Sequence, residues 1–271
     1  MTILVTGGTG LVGSRLVPRL VEVGIDCRVL VRPGKSVSAG VTAVEGDILD
    51  PASLAAAVEG VDAIVHLAAV LRTPDPEHIW TVNLEGTRNL IAAATEYAPE
   101  ARFIMASTGL VYNEDSPRPS LEIDEVAPKR DYPASKVAAE KLLRESALNW
   151  SILRFGFVYG DGDGHIGQIP DIAQLLKLHP ANRLSMIHHH DIATFVKMGV
   201  SGTLDGRIVN TVDEAPMTIF ELSKIAGVPV EPVATPLTNP WSGVLDGSLA
   251  QSLGFRSEVL TIFQAAREGT L

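Results

Sequence analysis

The sequence predicts an α/β fold, a doubly wound parallel sheet carrying a small mixed cap toward its C-terminal end. Two observations predict it. Short β-rich runs alternate with helical patterns through the first two-thirds of the 271 residues, and such alternation builds a parallel sheet covered on both faces. A glycine-rich turn, TGGTGLVG at 6–13, stands between the first strand and the first helix. Open parallel sheets bind phosphate at that place.

The elements follow in order. ILVT (3–6) reads as a strand. Leu11, Val12, Leu16, Leu20 and Val23 recur near helical spacing and predict a helix over 11–23. Cys27–Val31 and VTAVEGD (41–47) are the next strands, and PASLAAAVEG (51–60) is a helix opened by proline. DAIVHLA (62–68) is a buried strand, 77–98 a long helix, and ARFIMAS (101–107) a strand. A helix over 134–148 and the strand WSILRFG (150–156) complete the regular part. The pattern then weakens. Residues 160–185 are rich in glycine, proline and polar side chains, and Pro216, Pro229, Pro232, Pro236 and Pro240 mark an irregular C-terminal part. A strand near 207–211 and a helix at 218–226 interrupt it. The expected division is a dinucleotide-binding domain over 1–157 and a small substrate-binding cap over most of 158–271. The strand near 206–211 is expected to return to the first domain.

Composition narrows the function. The formal net charge of −10 argues against non-specific binding to nucleic acid or to an anionic membrane. The single cysteine, Cys27, permits no intramolecular disulfide and suits a reducing compartment. No apolar run approaches the ~20 residues that span a bilayer. MTILVTGG is too short an apolar run for a signal peptide and lacks a charged leader. A soluble cytoplasmic protein is expected.

The turn at 6–13 has the glycines that a pyrophosphate needs. Gly7 allows a tight turn, Gly10 lets backbone approach the phosphates, and Gly13 permits close helix–strand packing. The following helix N-terminus attracts the negative charge. An acid usually ends the second strand where NAD binds. Here the strand ends Leu30-Val31-Arg32. Arg32, joined by Lys35 and Arg15, suits a 2′-phosphate, so NADP(H) is expected ahead of NAD.

RDYPASKVAAEKLL (130–143) places Tyr132 and Lys136 four residues apart, on one helical face. A phenol near pKa ~10 is a poor acid–base group at neutral pH. A nearby ammonium stabilises phenolate and lowers that value.

With these residues the chain resembles the extended short-chain dehydrogenase/reductase family, the NAD-dependent epimerase/dehydratase-like and dihydroflavonol-reductase-like group. TGGTGLVG is similar to the family's TGxxGxxG, and GDILD (46–50) to its acidic turn. HLAA (66–69), NLEGTRNL (83–90), STGLVY (107–112), YPASK, LRFGFVYG (153–160), IHHHDIA (187–193) and LTIFQAARE after LGFR (253–256) match its later segments in order. The resemblance implies a Rossmann-type doubly wound parallel sheet with a small mixed C-terminal substrate cap. It implies that Asp47 meets the adenine amino group and that Ile48 packs near the ring. It places Gly7, Gly10, Leu11, Val12, Arg32, Leu67, Ala68, Ala69, Asn83, Lys136 and Phe155 at the cofactor. Lys136 would hold the nicotinamide ribose. Tyr132 would be the general acid/base, and the family's Ser/Thr falls at Thr108, with Ser107 as second choice. A homodimer is implied, built from the helices near 77–98 and 134–148.

Other polar groups read as structural. His188 and Asp191 are expected to hold their segment by hydrogen bonds. His188 to His190 are adjacent and point to alternating faces, so no metal site is expected. DGDGH (161–165) has Ile172 where a calcium loop needs its closing Glu.

Two departures from the family bear on substrate. Phe155 stands where proline is usual, and Gly160 to Asp191 is shorter than the segment that holds a nucleoside diphosphate in the sugar-nucleotide enzymes. Arg183 and Arg207 are the basic residues available to a diphosphate. The expectation is therefore an NAD(P)(H)-dependent oxidoreductase acting on a small carbonyl or alcohol. A nucleotide-sugar epimerase or dehydratase with retained NAD(P), and a non-catalytic NADP-binding regulator, are the alternatives.

Overall fold

The computed structural model describes all 271 residues. Its strands are β1 (Thr2–Thr6), β2 (Asp26–Val31), β3 (Thr42–Glu45), β4 (Ala63–His66), β5 (Arg102–Thr108), β6 (Asn149–Phe155), β7 (Phe157–Tyr159), β8 (Arg183–Leu184), β9 (Met186–His188), β10 (Arg207–Thr211) and β11 (Met217–Thr218). Seven of them form one sheet in the order β10-β6-β5-β4-β1-β2-β3, with every pairing parallel. β7 pairs with β9, and β11 with β8. The helices are α1 (Gly13–Glu22), α2 (Ala55–Val58), α3 (Pro76–Trp80), α4 (Gly86–Tyr97), α5 (Asp131–Arg144), α6 (Ile169–Leu176), α7 (His189–Val200), α8 (Ile219–Ile225), α9 (Ser248–Ser252) and α10 (Ile262–Glu268). None is long and apolar enough to cross a membrane.

β1 illustrates how side-chain alternation makes three layers. Ile3 and Val5 face one side and pack with Leu16 and Leu20 of α1 and Phe195 and Val196 of α7. Leu4 faces the other side with Leu54, Leu90 of α4 and Leu143 of α5. A strand buried on both faces is apolar at successive positions, as ILV is here. A third cluster joins Tyr159, Ile166, Ile169, Met217, Leu222 and Ile262, drawn from β7, α6, α8, α10 and the segments beside them. This is the cap. The chain beyond residue 157 also serves the main sheet: α7 covers one face, and β10 extends the edge beside β6 from Arg207↔Ser151 to Thr211↔Phe155.

Three boundaries differ from expectation, each for a local reason. α1 begins at Gly13 because residues 7–12 form the turn before it. The helical stretch at 77–98 is interrupted by a π-helical turn at Thr81–Glu85. Such turns frequently mark functional sites, and this one contains the fully buried Asn83. α5 starts at Asp131, so Pro133 is its third residue. First-turn N–H groups have no intrahelical partner, so proline's missing donor costs nothing there. Tyr132 and Lys136 are thereby both on the helix.

From β1 the chain passes to β2 on one side, while β4 lies on the other. Ligands of open α/β sheets bind where the order reverses in this way, at the carboxyl ends of the strands.

Candidate active site

The glycine turn occupies that crevice. Gly7 has φ of +71°, and a Cβ there would lie 2.7 Å from the Ala68 amide nitrogen. A Cβ on Gly13 would lie 2.3 Å from the Gly7 carbonyl oxygen. The turn closes with the Gly10 N–H donating to the Gly7 carbonyl at 3.0 Å. Leu11 and Val12 lead into α1, which begins at Gly13. Ile48 is buried against Gly86, where a Cβ would come within 2.6 Å of Ile48 Cδ1. Asp47 Oδ1 accepts from the Leu49 N–H at 2.9 Å. Arg32 and Lys35 are exposed beyond the end of β2. Arg15 points elsewhere: its Nε and Nη2 each donate to the Asp161 carbonyl at 3.2 Å. The glycine turn, the helix N-terminus and the acidic turn fit a dinucleotide.

A chain of buried hydrogen bonds runs beneath this cradle. Thr87 Oγ1 donates to the Asn83 carbonyl at 2.7 Å, so toward His66 Nε2, 2.8 Å away, it accepts. His66 is then the Nε2–H tautomer, and its Nδ1 accepts from the Thr6 hydroxyl at 2.7 Å. Burial, and secondarily Lys136, push His66 down to about 3, so the ring is neutral. Asn83 Oδ1 accepts from the Val70 N–H at 2.7 Å. Asn83 Nδ2 donates to the Val70 carbonyl at 2.9 Å and to Ser135 Oγ at 3.0 Å. Ser135 donates in turn to the Tyr132 carbonyl at 2.7 Å. The chain thus ties the end of β1 to the first turn of α5. Leu67, Ala68 and Ala69 lie along it, where the chain leaves β4.

Tyr132, Thr108 and Lys136 converge at the end of β5. Tyr132 lies beside Thr108, whose hydroxyl favours the phenolate. Burial holds that phenol up at about 12, with Thr108 pulling the other way. The expected lowering by Lys136 is not found: burial raises that phenol and only Thr108 lowers it. Lys136 is 2% exposed. Its burial lowers the amine to about 8, and Glu140 opposes that shift. Ser107 faces away from Tyr132 and donates to Glu140. Phe155, buried and paired in register with Thr108, stands on the neighbouring strand.

The remaining polar residues go to separate segments. His188 Nε2 lies 2.9 Å from the Thr270 carbonyl, His189 Nε2 2.9 Å from Asp163, and His190 Nε2 3.6 Å from Glu258. Asp191 accepts from the N–H groups of Glu258 and Val259 at 2.9 and 3.2 Å. Arg207 cannot meet a diphosphate at this site. It begins β10 and so lies at the amino end of the parallel sheet. Arg183 lines a cleft of about 210 Å³ with Thr218 and Trp241. A second cleft, about 530 Å³, lies past the end of β10 and includes Asp213 and Arg256.

Sequence reasoning passed over His66, Ser135, Glu140 and Arg154. The signals were present. His66 opens HLAA, Ser135 sits inside YPASK, Glu140 is one turn beyond Lys136, and Arg154 opens RFG in LRFGFVYG.

Residues 3–182 match the model of the NAD dependent epimerase/dehydratase family. A 3-beta-hydroxysteroid dehydrogenase of Mycolicibacterium neoaurum is 29% identical over 255 residues, covering 82% of this chain and 68% of that protein. A UDP-glucose 4-epimerase of Lacticaseibacillus casei is 32% identical over 183 residues, covering 62% of this chain and 55% of that protein. Among solved structures, a short-chain dehydrogenase/reductase superfamily protein from Agrobacterium tumefaciens with bound NAD superposes with TM-score 0.80 and 27% identity, covering 99% of this chain and 95% of that one.

Proposed function

The chain belongs to the NAD dependent epimerase/dehydratase family, and on that premise we propose that it is an NADP(H)-using oxidoreductase of a small carbonyl or alcohol. The observation that carries the reading is Tyr132 beside Thr108 at the end of β5, with Lys136 buried one turn further along α5. The nicotinamide cofactor, when bound, supplies or accepts the hydride.

The chain's own residues do the rest. Gly7, Gly10 and Gly13 leave room for the pyrophosphate, and the N-terminus of α1 balances its charge. Leu11 and Val12 continue that turn. Asp47 and Ile48 receive the adenine, and Leu67, Ala68, Ala69 and Asn83 border the cleft. Phe155 borders the nicotinamide end. Arg32 faces a 2′-phosphate, with Lys35 beside it and no acid at the end of β2. Lys136 binds the ribose hydroxyls. Thr108 orients the substrate oxygen. Tyr132, whose phenol is protonated at neutral pH, donates the proton that an alkoxide-like oxygen needs. Lys136 stabilises the phenolate left behind. In the oxidative direction the same groups run in reverse.

A retained-cofactor epimerase is the second reading, favoured by Arg183 in the cleft with Trp241. One experiment separates the two. NADPH oxidation is followed against a panel of ketones, alongside epimerisation of UDP- and dTDP-sugars without added cofactor. Net NADPH consumption by a ketone supports the reductase. Sugar epimerisation with tightly held NAD(H) overturns it. We further propose a cytoplasmic homodimer through α4 and α5, with Ala92 and Tyr97 exposed on α4. A monomer by light scattering would contradict this.

A further inference from the structure

Glu140 lies one turn beyond Lys136 on α5 and is 3% exposed. Its Oε1 accepts from the Ser107 hydroxyl and, at 3.1 Å, from Arg154 Nε. Its Oε2 accepts from Arg154 Nη2 at 2.6 Å. Ser107 immediately precedes Thr108 on β5, and Arg154 is its register partner on β6. One carboxylate therefore joins the helix that carries Tyr132 and Lys136 to the strand that carries Thr108.

A buried ion pair is weak evidence for stability, because an apolar replacement of the same shape is often neutral or better. Its presence here calls for another reason. We propose that Glu140 is a positioning residue: held by Arg154, it fixes the strand end bearing Thr108 against the helix bearing Tyr132, and it is the negative charge that the buried Lys136 faces. This rests on the roles assigned above to Tyr132, Thr108 and Lys136.

The groups around Lys136 are few. His66 faces it from β4 and is neutral. Tyr132 lies one turn back on α5 and is protonated. Arg154, from β6, is spent on Glu140. Glu140 is thus the counter-charge, and it opposes the effect of burial on the Lys136 amine. Arg154 in turn keeps the carboxylate from being a lone buried charge.

The two parts of the proposal separate by variant. Glu140→Gln keeps the shape and removes the charge. Ser107→Ala keeps the charge and cuts the link to the strand. The readout is the titration of Lys136 Nζ, followed by NMR of lysine-labelled protein and identified by the signal lost in Lys136→Met. The titration needs no substrate, so the charge result stands whether or not the oxidoreductase reading holds, and kcat of Ser107→Ala is read with the substrate that the wild-type protein turns over. Turnover by Tyr132→Phe decides that reading separately. In Glu140→Gln the Lys136 midpoint falls by about one pH unit, the size expected for losing one nearby opposite charge. Ser107→Ala leaves the midpoint in place and lowers kcat with little change in KM. Because Glu140→Gln alone leaves Arg154 unpaired, Glu140→Gln with Arg154→Met is measured as well and shifts the midpoint in the same direction. An unchanged midpoint in either charge-removing variant would overturn the charge role. An unchanged kcat in Ser107→Ala would overturn the positioning role.

Discussion

The cofactor half and the cap are built from the same kinds of element but hold their polar groups differently. Under the cofactor cleft, Thr6, His66, Thr87, Asn83 and Ser135 form one continuous chain of bonds, nearly all of it buried. In the cap, His188, His189 and His190 each reach a different loop, and the ring Nδ1 atoms of His189 and His190 are buried without partners. Satisfied buried networks rigidify a structure, whereas an unpaired buried polar group is costly. The comparison teaches where the buried polar groups are satisfied. The half with the glycine turn has this polar chain satisfied, and the cap leaves two ring nitrogens without partners.

The largest effect that should sharpen this contrast comes from Arg154→Met. It leaves Glu140 as an unpaired carboxylate among side chains 3% exposed. Breaking such a pair costs about 3–5 kcal/mol, measured as a loss in denaturant midpoint. Gly13→Ala is the next largest. Its new methyl would press on the Gly7 carbonyl, costing about 1–3 kcal/mol by overpacking. Dinucleotide affinity, read by fluorescence titration, falls with it.

The cap also answers to pH. Burial holds the Asp213 carboxyl up at about 8, while in the unfolded chain it titrates near its ordinary value of about 3.9. Between those two values the folded protein binds a proton that the unfolded chain does not. The Asp213 contribution therefore falls as pH rises through that window, by at most about 1.4 kcal/mol per pH unit, while neutral His66 gives the opposite slope below about pH 6.5. Asp213→Asn removes the fall between about pH 6.5 and 8, as checked by urea melts across that range. An unchanged slope would place the effect elsewhere. The smallest effect belongs to Arg19→Ala, which cuts the 2.9 Å pair between α1 and Asp161 in the cap loop. Both side chains are partly exposed, so the loss stays below about 1 kcal/mol. A larger loss would mean that the two halves are more tightly coupled than their separate cores suggest.

What was legible in the sequence was local. Gly7, Gly10 and Gly13 are read from one turn, and Tyr132 with Lys136 from one helical repeat. Strand alternation carried the sheet because both of its faces are apolar. What escaped depends on residues brought together from afar. Ser107, Glu140 and Arg154 come from three elements, and no spacing in the chain joins them. The π-helical turn at Thr81–Glu85 follows from where Asn83 must reach, not from its neighbours in sequence. Arg207 looked available for a phosphate until the direction of β10 placed it at the wrong end of the sheet. Arg15 likewise looked free until Asp161 claimed it. The cap was least legible, because its short strands β8 and β11 are only two residues each.

The central claim is that Tyr132, set by Thr108 and Lys136, moves the proton that accompanies hydride transfer. The most direct measurement is single-turnover hydride transfer by Tyr132→Phe, with the ketone that the wild-type protein reduces and NADPH. The account predicts a rate lower by at least about 100-fold, with NADPH affinity unchanged. Hydride transfer at the wild-type rate, with the cofactor bound as before, would contradict it.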